Sequence, residues 1–129
     1  MDEGQAQLQS LSEDYQKLQQ EMQAAVQSRQ KLEAQRQENS GVQREFERLR
    51  DGESIYKLVG PVLLKQDKVE AESTVKGRLE FIGKEFDRTE DQIREIQEKI
   101  EKKKGEIMQG QASMQAAGPV APGQVAAKG

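Results

Sequence analysis

The chain has 129 residues, of which 33% are hydrophobic and 33% charged, and it contains no Trp, Cys or His. Twenty basic residues stand against 23 acidic ones, for a formal net charge of −3. Such a balance suits elongated helices with one buried stripe better than a compact core. It excludes a disulfide framework and a thiolate metal site, and the interleaved charge leaves no basic face for nucleic acid. The Gln- and Glu-rich start is unlike a secretory signal peptide, and the longest apolar stretch is far too short to span a bilayer. No membrane contact and a cytosolic location are therefore expected.

The first element is a helix expected over about residues 5–50, filled with Gln, Glu, Lys, Arg and Ala, which are strong helix formers. Its apolar seam reads Leu8, Leu11, Tyr15, Leu18, Met22, Ala25, Arg29 and Leu32, then Val42, Phe46 and Leu49. The early and late parts of that series do not share one heptad frame, so a local overwinding is expected between Leu32 and Val42. Gly41 lies in the same region and weakens the helix by about 1 kcal/mol relative to Ala. Asp51-Gly52 supplies a stop, with Gly52 able to turn left-handed after the last turn.

The connecting segment, about 54–66, is the densest apolar stretch. Ser54-Ile55-Tyr56-Lys57-Leu58-Val59 and Val62-Leu63-Leu64-Lys65 flank Gly60-Pro61. Two short β-rich runs around a Gly-Pro turn read as a β-hairpin. Alternation puts Tyr56 and Leu58 on one face and Ile55 and Val59 on the other, and Leu63 opposite in sense to Val62 and Leu64. Both faces are thus partly apolar. A lone two-stranded hairpin is marginal in water and leaves two open edges. One reading is a plug folded over the ends of the helices. The reading preferred here is an oligomerisation module, in which Ile55, Tyr56, Leu58, Val59, Val62, Leu63 and Leu64 join hairpins of other subunits.

A second helix is expected over about 67–116. Asp67 and Glu70 form a capping-box pattern at its start. Val75, Leu79, Ile82, Phe86, Thr89, Ile93, Ile96, Ile100, Lys103, Ile107, Gly110 and Met114 recur at steps of four and three. That period makes a narrow seam which another helix must cover. Glu80/Lys84, Glu90/Arg94, Glu95/Lys99 and Glu98/Lys102 are acid-first i,i+4 couples on a solvated face, each contributing about 0.2–0.5 kcal/mol. Lys102-Lys103-Lys104 is placed on that same face. From Gly118 the composition turns to Gly, Ala, Pro and Val, so 118–129 is expected to be a disordered tail.

The fold class that follows is mainly α: a long antiparallel coiled-coil helical hairpin with one β-hairpin at the connecting end. Pairing Leu49 with Val75 places Phe46 near Leu79, Met22 near Ile100, Tyr15 near Ile107 and Leu11 near Met114. The two runs then finish together, each roughly 65–70 Å long at about 1.5 Å per residue. A parallel homodimer would leave the connecting segment without a task.

The segment Tyr56-Lys57-Leu58-Val59-Gly60-Pro61-Val62-Leu63-Leu64-Lys65-Gln66 resembles the hairpin of β-type prefoldin subunits. Ser28-Arg29-Gln30-Lys31-Leu32-Glu33-Ala34-Gln35, followed by Glu38-Asn39, resembles the mid-helix stretch of the eukaryotic sixth-subunit branch of that family. The likeness covers roughly 5–115, and a single hairpin separates β-type from α-type chains, which carry two. The resemblance implies a prefoldin-like domain over 1–117. It also implies a hexamer of two α-type and four β-type subunits joined through their hairpins. Such a hexamer holds non-native actin and tubulin at the open tips of its coiled coils and passes them to the cytosolic chaperonin without nucleotide hydrolysis.

A holdase needs modest apolar patches on a charged surface. Leu8, Leu11, Ile107, Met108 and Met114 are the candidates at the helical tip, where flexible Met suits varied sequences. The bland alternative is that Leu8, Leu11, Ile107 and Met114 pack only on one another. No enzyme is expected, because the carboxylates lie on exposed helix faces with no concave pocket to retune them. No phosphate loop exists either, and no cofactor is implied. The competing function is a coiled-coil adaptor or tether without chaperone activity.

Overall fold

The computed structural model describes residues 2–50 and 52–117. The expected disordered tail from Gly118, and Asp51 of the expected helix stop, lie outside the described residues. The elements are α1 (Glu3–Arg48), β1 (Ile55–Val59), β2 (Val62–Gln66) and α2 (Lys68–Ala117). The two helices pack against each other, and an antiparallel hairpin joins them in sequence.

The ends of the helices have identifiable causes. Asp2 Oδ1 accepts from the Gln5 amide at 2.7 Å, which starts α1 two residues before the expected Gln5. Asp67 Oδ2 accepts from the Glu70 amide at 3.2 Å, and the Asp67 carbonyl accepts from the Ala71 amide at 3.0 Å. This is the capping arrangement read from the sequence, and it satisfies donors that the first turn cannot pair internally. Helix α1 stops at Arg48, where the Leu49 amide reaches back three residues to the Phe46 carbonyl at 3.2 Å. Gly52 does adopt a positive φ of 88°, but it serves a separate turn. In that turn the Glu53 amide donates to the Arg50 carbonyl and the Arg50 amide to Glu53 Oε1. The glycine therefore redirects the chain after the helix instead of capping it.

The described residues fall into two compact units, one within Met1–Val26 and Gln92–Gly129, the other within Gln27–Asp91. In the first, Ala25, Ile93 and Ile96 are buried, with Leu18, Met22, Val26 and Ile100 packed around them. Leu8 lies against Gly110, and Met114 against Gly4. The ascending order on α1 matches a descending order on α2, so the helices here are antiparallel. In the second unit Ala71, Val75, Ile82 and Thr89 are buried. Thr89 Oγ1 donates to the Glu85 carbonyl at 2.8 Å, so its hydroxyl is satisfied within its own helix. Arg36 lies over the Phe86 ring at 4.2 Å, and Arg29 Nη1 reaches Glu90 Oε2 at 3.6 Å, again in antiparallel order.

Every member of the α2 series from Val75 to Met114 is buried or half-buried. Helix α1 corrects the expected frame slip. Val42 is 41% exposed and off the seam, whereas Arg36, Asn39 and Gln43 are half-buried between Leu32 and Phe46. Those positions continue the alternation of four and three without interruption. Polar residues fill the stripe there, which hid its continuity from an apolar count. Arg36 is accommodated by stacking on Phe86 and by its ion pair with Glu33 at 3.1 Å.

Two further expectations change. At the tip Leu8 lies against Gly110 and Met114 against Gly4, about one turn from the expected register, although Leu11 and Met114 do line one groove. The expected pairing was anchored on Leu49, which lies beyond the end of α1, and carried the false slip with it. Lys103, counted both in the seam series and on the solvated face, lies in the seam. Its side chain is 21% exposed, with Nζ 3.7 Å from Asp14 Oδ2 and 3.4 Å from Glu106 Oε1. Ion pairs of i,i+3 spacing close within the helices, among them Glu45–Arg48, Glu85–Arg88 and Glu101–Lys104. Exposed pairs of this kind contribute little against the ordering of two long side chains.

Two outcomes are expected from this packing. Asp67→Ala removes the α2 cap and should cost about 1 kcal/mol, lowering the thermal midpoint followed by circular dichroism, while Asp67→Ser should restore most of it. A Cβ on Gly105 meets nothing within 4 Å, whereas one on Gly110 stands 2.8 Å from Leu8 Cδ2. Gly105→Ala should therefore stabilise by about 1 kcal/mol through helix propensity. Gly110→Leu should destabilise by roughly 1–3 kcal/mol through overpacking. Equal midpoints for those two variants would contradict the placement of Leu8.

Candidate functional site

Residues of β-rich, apolar character on either side of a tight turn build the first candidate site. β1 pairs with β2 through Ile55↔Gln66, Tyr56↔Lys65, Lys57↔Leu64, Leu58↔Leu63 and Val59↔Val62. Gly60 has φ of 59° and Pro61 fixes its own φ near −65°. That succession is a type II′ turn, whose twist matches the flanking strands. Pro61 sits where no ladder donor is needed.

Cross-strand partners share a face. One face carries Tyr56, Leu58, Leu63 and Lys65, and the other carries Ile55, Lys57, Val59, Val62, Leu64 and Gln66. Leu58 is 68% exposed and Leu63 64%, while Tyr56, Val59, Val62 and Leu64 are about half to two-thirds uncovered or nearly so. Ile55 alone of the seven residues singled out from the sequence is half-buried. A plug folded onto the helices would hide one face, yet both are open among the described residues. Covering the exposed part of each such side chain would contribute about 1–2 kcal/mol.

The second candidate site lies in the first compact unit. Leu8, Leu11, Gly110 and Met114 line an open groove of about 1020 Å³, rimmed by polar residues that include Glu3, Gln7, Glu106 and Gln109. Leu8, Leu11 and Met114 are half-buried. Of the other tip residues, Ile107 is half-buried on the seam and Met108 is 69% exposed, and neither lines the groove. Gly4 and Gly110 were not singled out as functional, although a glycine at a seam position was a signal that a large side chain lies across from it. Val69 and Phe81 are exposed as well.

Among the described residues no group of three or more His, Cys, Asp or Glu side chains is placed to hold a metal ion. Among them, too, no helix is long and apolar enough to cross a membrane. What the two sites offer is apolar surface, in one case on a sheet with open edges and in the other in a groove between helices.

Known proteins resemble the chain over most of its length. The family described as Prefoldin subunit matches residues 9–113. Prefoldin subunit 6 of Saccharomyces cerevisiae is 42% identical over 109 residues, covering 84% of this chain and 96% of that protein. Prefoldin subunit 6 of Homo sapiens is 40% identical over 113 residues, covering 88% of each. Among solved structures, the prefoldin beta subunit from Thermococcus strain KS-1 aligns with a TM-score of 0.74 at 27% identity, over 80% of this chain and 90% of that one.

Proposed function

Because the chain belongs to the prefoldin subunit family, we propose that it is a β-type subunit of a hexameric, ATP-independent chaperone. This chaperone captures non-native proteins such as actin and tubulin and delivers them to the cytosolic chaperonin. Its partners are other α- and β-type prefoldin subunits, its location is the cytoplasm, and residues 1–117 make up its prefoldin-like domain.

The observation that carries this reading is the hairpin, apolar on two faces and covered on neither. A surface of that kind on a short sheet with two free edges calls for strands from other chains. Ile55, Tyr56, Leu58, Val59, Val62, Leu63 and Leu64 are assigned to that assembly. The groove of Leu8, Leu11 and Met114, with Ile107 and the exposed Met108 nearby in sequence, is assigned to clients. It is apolar enough to hold an unfolded segment, and its polar rim keeps it from closing on a second copy. Several such grooves in one complex add weak contacts through effective concentration.

Two measurements test the assignments. Replacing Leu58 and Leu63 together with Asp should leave the helical circular dichroism unchanged and prevent hexamer formation, read by native mass spectrometry of the mixed subunits. A normal hexamer would remove the hairpin from assembly. Deleting residues 1–11 and 107–129 should leave the hexamer intact and abolish suppression of aggregation when denatured actin is diluted into it. Retained suppression would move the client surface elsewhere. An intact wild-type complex that never suppresses aggregation would make the chain a tethering subunit.

A further inference from the structure

The two edges of the hairpin are not equivalent. Val59 and Val62 close the two-residue turn, so Ile55/Gln66, Lys57/Leu64 and Val59/Val62 are the hydrogen-bonded pairs. Tyr56 and Leu58 on β1, and Leu63 and Lys65 on β2, therefore turn their amide and carbonyl groups outward. A second copy that paired its β1 with this β1 over the full strand would be antiparallel and symmetric. Its centre would be Lys57 facing Lys57, in a non-hydrogen-bonded pair where side chains approach closest. Like charges directly opposite one another destabilise such a pair. The corresponding symmetric pairing of β2 would centre on Leu64 and carries no such penalty.

Lys57 is also out of character with its face. Its neighbours there are Ile55, Val59, Val62 and Leu64, with Gln66 at the end, and none supplies a carboxylate. It takes part in no ion pair among the described residues. Exposed to water the ammonium is at ease. Once assembly covers the face, an unpaired ammonium becomes costly, and a carboxylate must come from the covering chain.

We propose that β1 is an edge reserved for a different subunit, with Lys57 barring a second copy of this chain and selecting a strand that presents an Asp or Glu across from it. The proposal rests on the hairpin being the assembly module, and it adds which edge discriminates and what chemistry the partner strand must carry.

The test uses the full chain in sedimentation equilibrium, with circular dichroism to check that each variant folds. Lys57→Glu alone should self-associate no more than wild type, since like charges still meet. An equimolar mixture of wild type and Lys57→Glu should form a 1:1 complex with a dissociation constant at least about tenfold below either chain alone. Lys57→Val should self-associate about tenfold more tightly than wild type. If neither the mixture nor Lys57→Val differs from wild type, or if wild type already pairs through β1 as tightly as Lys57→Val, the proposal fails. Repeating the mixture with Leu58→Asp and Leu63→Asp in both chains separates the two levels. Loss of the mixed complex keeps the association on the hairpin and supports the proposal. Persistence places it elsewhere and overturns the assembly reading along with the role of Lys57.

Discussion

A seam between two helices is dehydrated from two sides only, and water reaches its flanks along its whole length. Even the best-covered residues here, Ala71, Val75 and Ile82, keep 4–5% of their surface, and no described side chain is wholly enclosed. Stability must then come from many modest burials repeated at a strict period. This constraint explains the composition. One-third of residues suffices to fill the stripe, and the remaining positions are free to be charged. It also explains why several polar residues in the stripe come with a local arrangement. Lys103 sits near Asp14 and Glu106, Arg36 lies on Phe86 and beside Glu33, and Thr89 bonds its own helix.

Once the stripe is assigned, the apolar groups outside it become conspicuous. The hairpin contributes six exposed large hydrophobic side chains within ten residues of strand, and neither helix covers them. The groove lined by Leu8, Leu11 and Met114 is the other departure. There the seam contains Gly110 and Gly4, and a large residue on each helix meets a missing side chain on the other. Filling is incomplete, and space remains. Both departures come from the same shortage of covering surface between two helices.

Most of the fold could be read because helical and strand periods differ and because the breakers are well separated. The α2 series was legible residue by residue, since nearly all of its members are apolar. The α1 series was legible only to Leu32. Beyond it Arg36, Asn39 and Gln43 hold seam positions that a search for apolar residues passes over, and Val42 attracted the assignment in their place. Met22 and Ile100 do pack on one cluster, but at the tip the register was off by about a turn, for a related reason. Heptads fix which residues face inward but not which turn meets which, and a shift by whole turns preserves the inward set. Only specific fits, such as Leu8 on Gly110, decide among those shifts. The hairpin was fully legible, as its faces follow from alternation and its turn from two residues.

The type II′ turn at Gly60-Pro61 also bears on the order in which contacts form. Pairs near it in sequence, such as Val59 with Val62, close the shortest loops and lose the least chain entropy. The meeting of Leu8 with Gly110 requires nearly the whole polypeptide to be looped. Annealing that starts at the turn and runs outward is therefore the low-entropy route, and local opening follows it in reverse. Amide exchange would be graded accordingly, with the fastest hydrogens in the same turns that line the groove. The turns around Leu8, Gly110 and Met114 would then be the ones that part from each other most often.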